Sequence, residues 1–192
     1  QRNLQALESL GLKIFKDDLI LNSSYLDSMY KNLTRTYPFL KEENSYCLIH
    51  PTSRRDKKLW NKEKFGQVIN HLLDKEISVV ITSGPDSNEI NYVDDILMNV
   101  ESSDFQVLNL AGQTSLLDLA ALIKHSQFFI GLDSVASHIA ASVNKESITL
   151  FGPSNPVNWK PWSNKARIIV KEDLNSIEID DVKNLIDEIV VK

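Results

Sequence analysis

Three polar segments of this 192-residue chain concentrate the side chains able to do chemistry. The first is His50-Pro-Thr-Ser-Arg-Arg-Asp-Lys-Lys-Leu-Trp60, where two hydroxyls and four cations stand between an apolar run and a helical pattern. Hydroxyl and ammonium donors beside a helix start form a natural phosphate seat; a solvated charged loop is the competing reading. The second is Ser83-Gly-Pro-Asp-Ser-Asn-Glu89. Asp86 and Glu89 have the spacing of a capping box, but a carboxylate placed here can also accept hydrogen bonds from a ribose, as in dinucleotide folds. The third is Gly131-Leu-Asp-Ser-Val-Ala-Ser-His138. Asp133 and Ser134 fall at a strand-to-helix junction where either can cap, and where free N–H groups and the positive dipole end favour an anion. His138 sits one turn into that helix, placed for a structural role or for a hydrogen bond to phosphate or sugar. No second His or Cys falls at ligand spacing, so no metal is expected. GxSxG, GxxxxGK[ST] and GxGxxG are all absent, which leaves serine hydrolase, P-loop ATPase and standard dinucleotide dehydrogenase unsupported. Phosphate-friendly loops at neighbouring strand ends, without a metal cluster, point to a diphosphate held by side chains and helix termini.

The elements that must position these loops are legible in the apolar pattern. Tyr46–His50, Ile77–Ser83, Phe105–Leu110, Phe128–Leu132 and Ser147–Phe151 read as short strands, with Arg167–Val170 as a tail strand. Between them run helical stripes. Phe65, Val68, Ile69, Leu72 and Leu73 form one buried face; Ile90, Val93, Ile96 and Leu97 another. Ser115 caps a helix with Asp118 near its positive end, carrying Leu116, Leu119, Ala120 and Ile123 inward. A small-residue helix covers Ser134–Val143, and a last helix turns Ile179, Val182, Leu185, Ile186 and Ile189 inward. Strands alternating with helices of this length imply βαβ crossovers and a parallel sheet. The expected fold class is therefore α/β, a Rossmann-like parallel sheet flanked by helices, from about residue 44 onward.

Residues 1–43 differ. A helix with Leu4, Leu7 and Leu10, an extended piece Leu19-Ile-Leu21 and a helix from Tyr25 to Leu33 cannot build a core of their own and must pack on another body. Composition narrows the class further. A hydrophobic fraction of 42% with 24% charged residues excludes disorder, the single Cys47 excludes a disulfide scaffold, and no apolar run is long enough to span a bilayer. Cys47 is expected to be a buried small hydrophobe. The opening residues lack the pattern of a signal peptide, and a net charge of −5 argues against nucleic-acid partners.

Taken in order, His50-Pro-Thr-Ser-Arg54 with Lys58 and Trp60, Thr82-Ser-Gly-Pro85, Leu110-Ala-Gly-Gln-Thr-Ser-Leu116, Gly131-Leu-Asp-Ser134 with His138, and Leu150-Phe-Gly-Pro153 resemble the bacterial heptosyltransferases of lipopolysaccharide core synthesis, glycosyltransferase family 9. The resemblance spans about Tyr46 to Trp162. Arg2–Gly11 looks like that family's interdomain segment, and Asn158-Trp-Lys-Pro-Trp-Ser163 looks most like the branch that adds the third heptose. It implies a GT-B fold, two Rossmann-like domains facing across a cleft. The C-terminal one binds ADP-heptose; the N-terminal one holds the lipid-linked acceptor and the catalytic aspartate. On this expectation residues 44–192 are the donor-binding domain and 1–43 the lead-in, so an inverting transfer would draw its base from an N-terminal domain and these residues alone would not catalyse it. Matching positions imply that Lys58 meets the diphosphate with Thr52 and Ser53 beside it. Glu89 would bond the ribose, backbone near Thr114 would receive the adenine, and Asp133, Ser134 and His138 would contact phosphate and heptose. Val135 stands where the tighter family motif has glycine. The resemblance further implies no cofactor beyond the donor substrate, a lipopolysaccharide-core acceptor, and a place in the cytoplasm at the inner face of the inner membrane. A GT-B enzyme using another nucleotide sugar and a non-catalytic nucleotide-binding module remain the alternatives.

Overall fold

The structure, a computed structural model, describes residues 23–41, 45–53, 58–102 and 105–191. The expected Asn3–Leu10 helix and the Leu19–Leu21 piece lie outside the described residues, as do Arg54, Arg55, Asp56 and Lys57 of the first polar loop. Six strands, β1 (Tyr46–His50), β2 (Ser78–Ser83), β3 (Val107–Ala111), β4 (Phe129–Leu132), β5 (Ser147–Phe151) and β6 (Ala166–Val170), form one sheet in the order β3-β2-β1-β4-β5-β6. Every pairing is parallel, with Ile49 opposite Ile81 and His50 opposite Gly131. Such a sheet is covered on both faces, so its inner strands are apolar runs rather than alternating ones. All five residues of β1 are buried, and its side chains divide by period two: Cys47 and Ile49 enter one core, Tyr46 and Leu48 the other. The expected burial of Cys47 is borne out, and burial raises its thiol pKa.

The helices follow the stripes read from sequence. On one face lie α2 (Lys62–Asp74), α3 (Ser87–Leu97) and α7 (Ile179–Val190), contributing such residues as Phe65, Ile96 and Ile186. On the other lie α1 (Ser23–Thr36), α4 (Leu116–His125) and α5 (Val135–Ser142), with Leu26, Ile123 and Ala140 among the buried residues. A short α6 (Pro156–Trp159), which the apolar pattern does not signal, follows β5. Helix α1 satisfies the need for a partner seen in residues 1–43: Leu26 and Tyr30 pack into the second core, and the Tyr30 hydroxyl donates to the Leu40 carbonyl at 2.7 Å. Its Asp27 carboxylate accepts from Lys124 and from His125 on α4, and these two hold its pKa below the usual range against some desolvation. The expected inward-facing Leu116 does not hold. Leu116 is 62% exposed, because it is the first residue of α4, at the sheet's carboxyl rim and ahead of the stripe formed by Leu119, Ala120 and Ile123.

Candidate functional site

In this strand order the chain leaves β1 toward β2 on one side and enters β4 on the other, so the carboxyl ends of β1 and β4 open a crevice between oppositely directed crossovers. Ligands of open α/β sheets bind at this switch point. Two of the three polar segments meet there. From β1 the chain runs through buried Thr52 and half-buried Ser53 to Lys58; from β4 it runs into Asp133. The Lys58 Nζ donates to Asp133 Oδ2 at 2.6 Å, with side-chain exposures of 19% and 8%. Residues 75 apart in sequence thus form a largely desolvated ion pair at the crevice.

The pair has a consequence for α5. Asp133, an expected capping residue, is engaged by Lys58 instead, while its own N–H donates to the Leu150 carbonyl at 3.1 Å. Ser134 occupies the N-cap position but its side chain caps nothing, and its buried Oγ has no hydrogen-bond partner. The expectation that Asp133 or Ser134 caps α5 is therefore corrected: the N–H groups of the first turn lack a side-chain acceptor, and the helix presents an open positive end. His138 is exposed one turn further on, and Val135 is an exposed first-turn residue.

Along the same rim, the β2–α3 loop brings Glu89 and Asp86. Asp86 does cap α3, accepting from Asn88 N–H at 2.8 Å, but the reciprocal half of a capping box is missing. Glu89 turns back to accept from Gly84 N–H at 3.0 Å. A Cβ on Gly84 would lie 2.8 Å from Glu89 Oε1, so the glycine makes room for that carboxylate. Ser83 ties this loop to the next: its Oγ accepts from Gly112 N–H at 3.1 Å and donates to the Gly84 carbonyl. Half-buried Thr114 follows in the β3–α4 loop. Next to it, Ser115 caps α4 as sequence predicts, and Asp118 completes a reciprocal capping box with it. The structure thus joins Lys58 with Asp133, places Glu89 one strand away from β1 and Thr114 two strands away, and leaves His138 on the surface.

Sequence reading missed the support beneath the first loop. His50 is 6% exposed, with Nδ1 3.0 Å from Thr82 Oγ1 and Nε2 3.5 Å from Thr52 Oγ1. Thr82 itself donates to the Ile49 carbonyl, which fits an Nδ1–H donating to Thr82 and an Nε2 accepting from Thr52. Desolvation lowers the imidazole pKa to about 4, opposed by the Glu89 carboxylate, so His50 is neutral near pH 7. Trp60 closes the loop's other end: it is buried, T-stacked on Phe65, and its Nε1 donates to the Ile177 carbonyl at 3.2 Å. A histidine ending an apolar strand run was the available signal for the first; nothing in spacing marks the second, a contact across 117 positions. Among the described residues no group of His, Cys, Asp and Glu is arranged to hold a metal ion.

A doubly wound parallel sheet with a cation and an uncapped helix terminus at its switch point places the chain in the Rossmann-like class of α/β folds. Residues 9–185 match glycosyltransferase family 9 (heptosyltransferase), and the chain belongs to that family. It is 38% identical over 163 residues to lipopolysaccharide heptosyltransferase 3 of Escherichia coli K12, covering 85% of this chain and 46% of that protein. It is 28% identical to the lipopolysaccharide core heptosyltransferase OpsX of Haemophilus influenzae, over 82% of this chain and 41% of that one. The chain thus spans about half the length of the curated relatives it matches. The solved E. coli ADP-heptose lps heptosyltransferase II shares the fold with a TM-score of 0.78 at 22% identity, over 90% of this chain and 53% of that one. The E. coli heptosyltransferase WaaC with ADP superposes with a TM-score of 0.68 at 21% identity, over 78% and 45% of the two chains.

Proposed function

We propose that these residues are the donor-binding half of an inverting heptosyltransferase that moves heptose from ADP-heptose to the inner core of lipopolysaccharide. The observation that carries the reading is the Lys58–Asp133 pair beside the uncapped start of α5 at the sheet's switch point. A departing nucleoside diphosphate needs its developing charge stabilised; an ammonium and oriented backbone N–H groups in a partly dry crevice supply that. In this reading Lys58 and the α5 terminus take the diphosphate without a divalent ion, with Thr52 and Ser53 beside it. Glu89 accepts from the ribose, backbone near Thr114 meets the adenine, and Asp133, Ser134 and His138 face phosphate and heptose. No cofactor is required beyond the donor. The acceptor and the base that deprotonates its hydroxyl belong to residues outside this chain, and the enzyme works at the cytoplasmic face of the inner membrane. No helix among the described residues is long and apolar enough to cross a membrane.

Calorimetry tests the donor assignment. ADP and ADP-heptose should bind with or without EDTA, and UDP- and GDP-sugars should not. Absence of ADP binding refutes a donor site; stronger binding of another nucleotide sugar reassigns the donor.

A further inference from the structure

Tyr92 takes no part in the donor reading, yet its hydroxyl reaches the loop that carries Lys58. It lies in α3, buried in the core, and donates to the Trp60 carbonyl. Burial, with the Glu63 carboxylate adding to it, pushes the phenol pKa up, so the hydroxyl stays a protonated donor. Trp60 is the last residue before Asn61, the N-cap of α2, and stands two positions after Lys58. Its indole is already fixed to the Ile177 carbonyl, and Tyr92 adds an anchor on the main chain itself. With side chain and carbonyl both held, the end of the loop next to Lys58 leaves along one path.

The helix that bears this anchor also bears Glu89, the carboxylate that the donor reading gives to the ribose. Glu89 and Tyr92 are three residues apart on α3, neighbours on successive turns of one rod. That rod is locked to α2. A Cβ on Gly66 would lie 2.6 Å from Asn99 Cβ, so the glycine lets α2 meet the end of α3 closely. Asn70 donates to the Asn99 carbonyl at 3.2 Å and accepts from Glu101 N–H at 2.9 Å. Lys62 on α2 pairs with Asp95 on α3 and sits 5.6 Å above the Tyr92 ring. One body therefore carries Glu89 in its first turn and grips the Lys58 loop one turn later. Ribose and diphosphate are joined by a fixed set of bonds, so a ligand that uses both receivers needs their separation held to match.

We infer that Tyr92 is a positioning residue that sets the separation of the ribose and diphosphate subsites, by tying the Lys58 loop to the helix that carries Glu89. The inference rests on the donor reading above and adds to it a residue of the core. Tyr92→Phe keeps the ring in place and removes only the hydroxyl. Tyr46→Phe is its control, because the Tyr46 hydroxyl makes a like bond to the Leu122 carbonyl at 2.8 Å, buried on the opposite face of the sheet. Each variant is titrated with ADP by calorimetry, well below its unfolding temperature. Y92F is titrated also in backgrounds that lack one receiver, Lys58→Met and Glu89→Met. In the unsubstituted background Y92F should weaken ADP binding roughly three- to tenfold. In either single-receiver background its effect should shrink below about twofold, because a ligand held at one point can follow the shift. Y46F should lower Tm as Y92F does and leave ADP affinity unchanged. Full-strength Y92F losses in either single-receiver background overturn the inference, as does an unchanged ADP affinity in Y92F or an equal loss in Y46F. An unsubstituted chain that binds no ADP refutes the donor reading itself, and the inference falls with it.

Discussion

Replacing Lys58 with methionine leaves Asp133, only 8% exposed, with neither its ammonium nor free access to water. Removing one member of a buried pair costs about 3–5 kcal/mol, and partial access of the lysine end places this site near the lower figure. In a chain of this length, 1 kcal/mol corresponds to roughly 2–4 °C in Tm, so the expected loss is roughly 6–12 °C. The reverse change is milder. Asp133→Asn leaves an ammonium that is 19% exposed and can turn toward solvent, and about 1 kcal/mol is expected. The double variant, K58M with D133N, removes both charges and should recover to within about 1 kcal/mol of the unsubstituted protein. Donor binding separates the two residues further. A charge-assisted contact is worth about 1.5–3 kcal/mol, so K58M should bind ADP roughly 10- to 100-fold more weakly. D133N frees the ammonium and removes a carboxylate that repels the diphosphate, so ADP should bind it at least as well as before. The assays are thermal unfolding of the four proteins as a double-mutant cycle and calorimetric titration with ADP. Additive Tm changes, or D133N losing ADP binding as K58M does while remaining folded, would refute the reasoning.

Two further outcomes follow from the support beneath the loop. His50 titrates near 4 when folded and near its ordinary 6.5 when unfolded, so between those values the unfolded chain binds a proton that the folded one does not. Its contribution is therefore fully present above pH 6.5 and lost as pH falls through 4, amounting to about 3 kcal/mol at the limit; urea unfolding at pH 7 and 4.5 should show a shallower decline for His50→Gln, and equal slopes would count against it. Gly131→Ala places a Cβ 2.5 Å from Phe129 Cζ and 3.0 Å from the His50 carbonyl, in a buried strand. The expected loss is about 1–3 kcal/mol in chemical unfolding, with weaker ADP binding because the end of β1 must move, and a neutral substitution would show that the crevice tolerates such movement.

Much of the fold was legible because a parallel sheet buried on both faces writes itself as short apolar runs, and the helices between as stripes of period 3.6. Tyr46–His50 and Ser147–Phe151 fall where the pattern puts them. Polar loops at strand ends likewise pointed to the crevice, because topology alone decides where ligands of such sheets bind. What stayed illegible depends on which partner wins a given group. Asp133 and Ser134 have the chemistry of helix caps, and only the arrival of Lys58 across the crevice decides otherwise. Glu89 has capping-box spacing, yet an unobstructed Gly84 N–H captures it. Leu116 fits an amphipathic stripe on paper, but the stripe starts one turn after the helix does.

The ion pair and the open helix end are one arrangement rather than two features. An N-cap side chain on α5 would stabilise it by about 1 kcal/mol, and the sequence supplies Asp133 and Ser134 to provide one. The fold forgoes that stabilisation by turning the aspartate to Lys58 and burying the serine hydroxyl unpartnered. A carboxylate seated at the cap would neutralise the helix terminus and repel a diphosphate; a carboxylate drawn to Lys58 instead leaves the terminus positive. Neutral His50, buried beneath Thr52, adds no charge to the balance and holds the loop from below. The crevice thus holds a cation paired with one carboxylate and a helix end that no side chain caps. On the proposed donor reading, an arriving diphosphate would meet helix N–H groups left open for it and would share the Lys58 ammonium with Asp133.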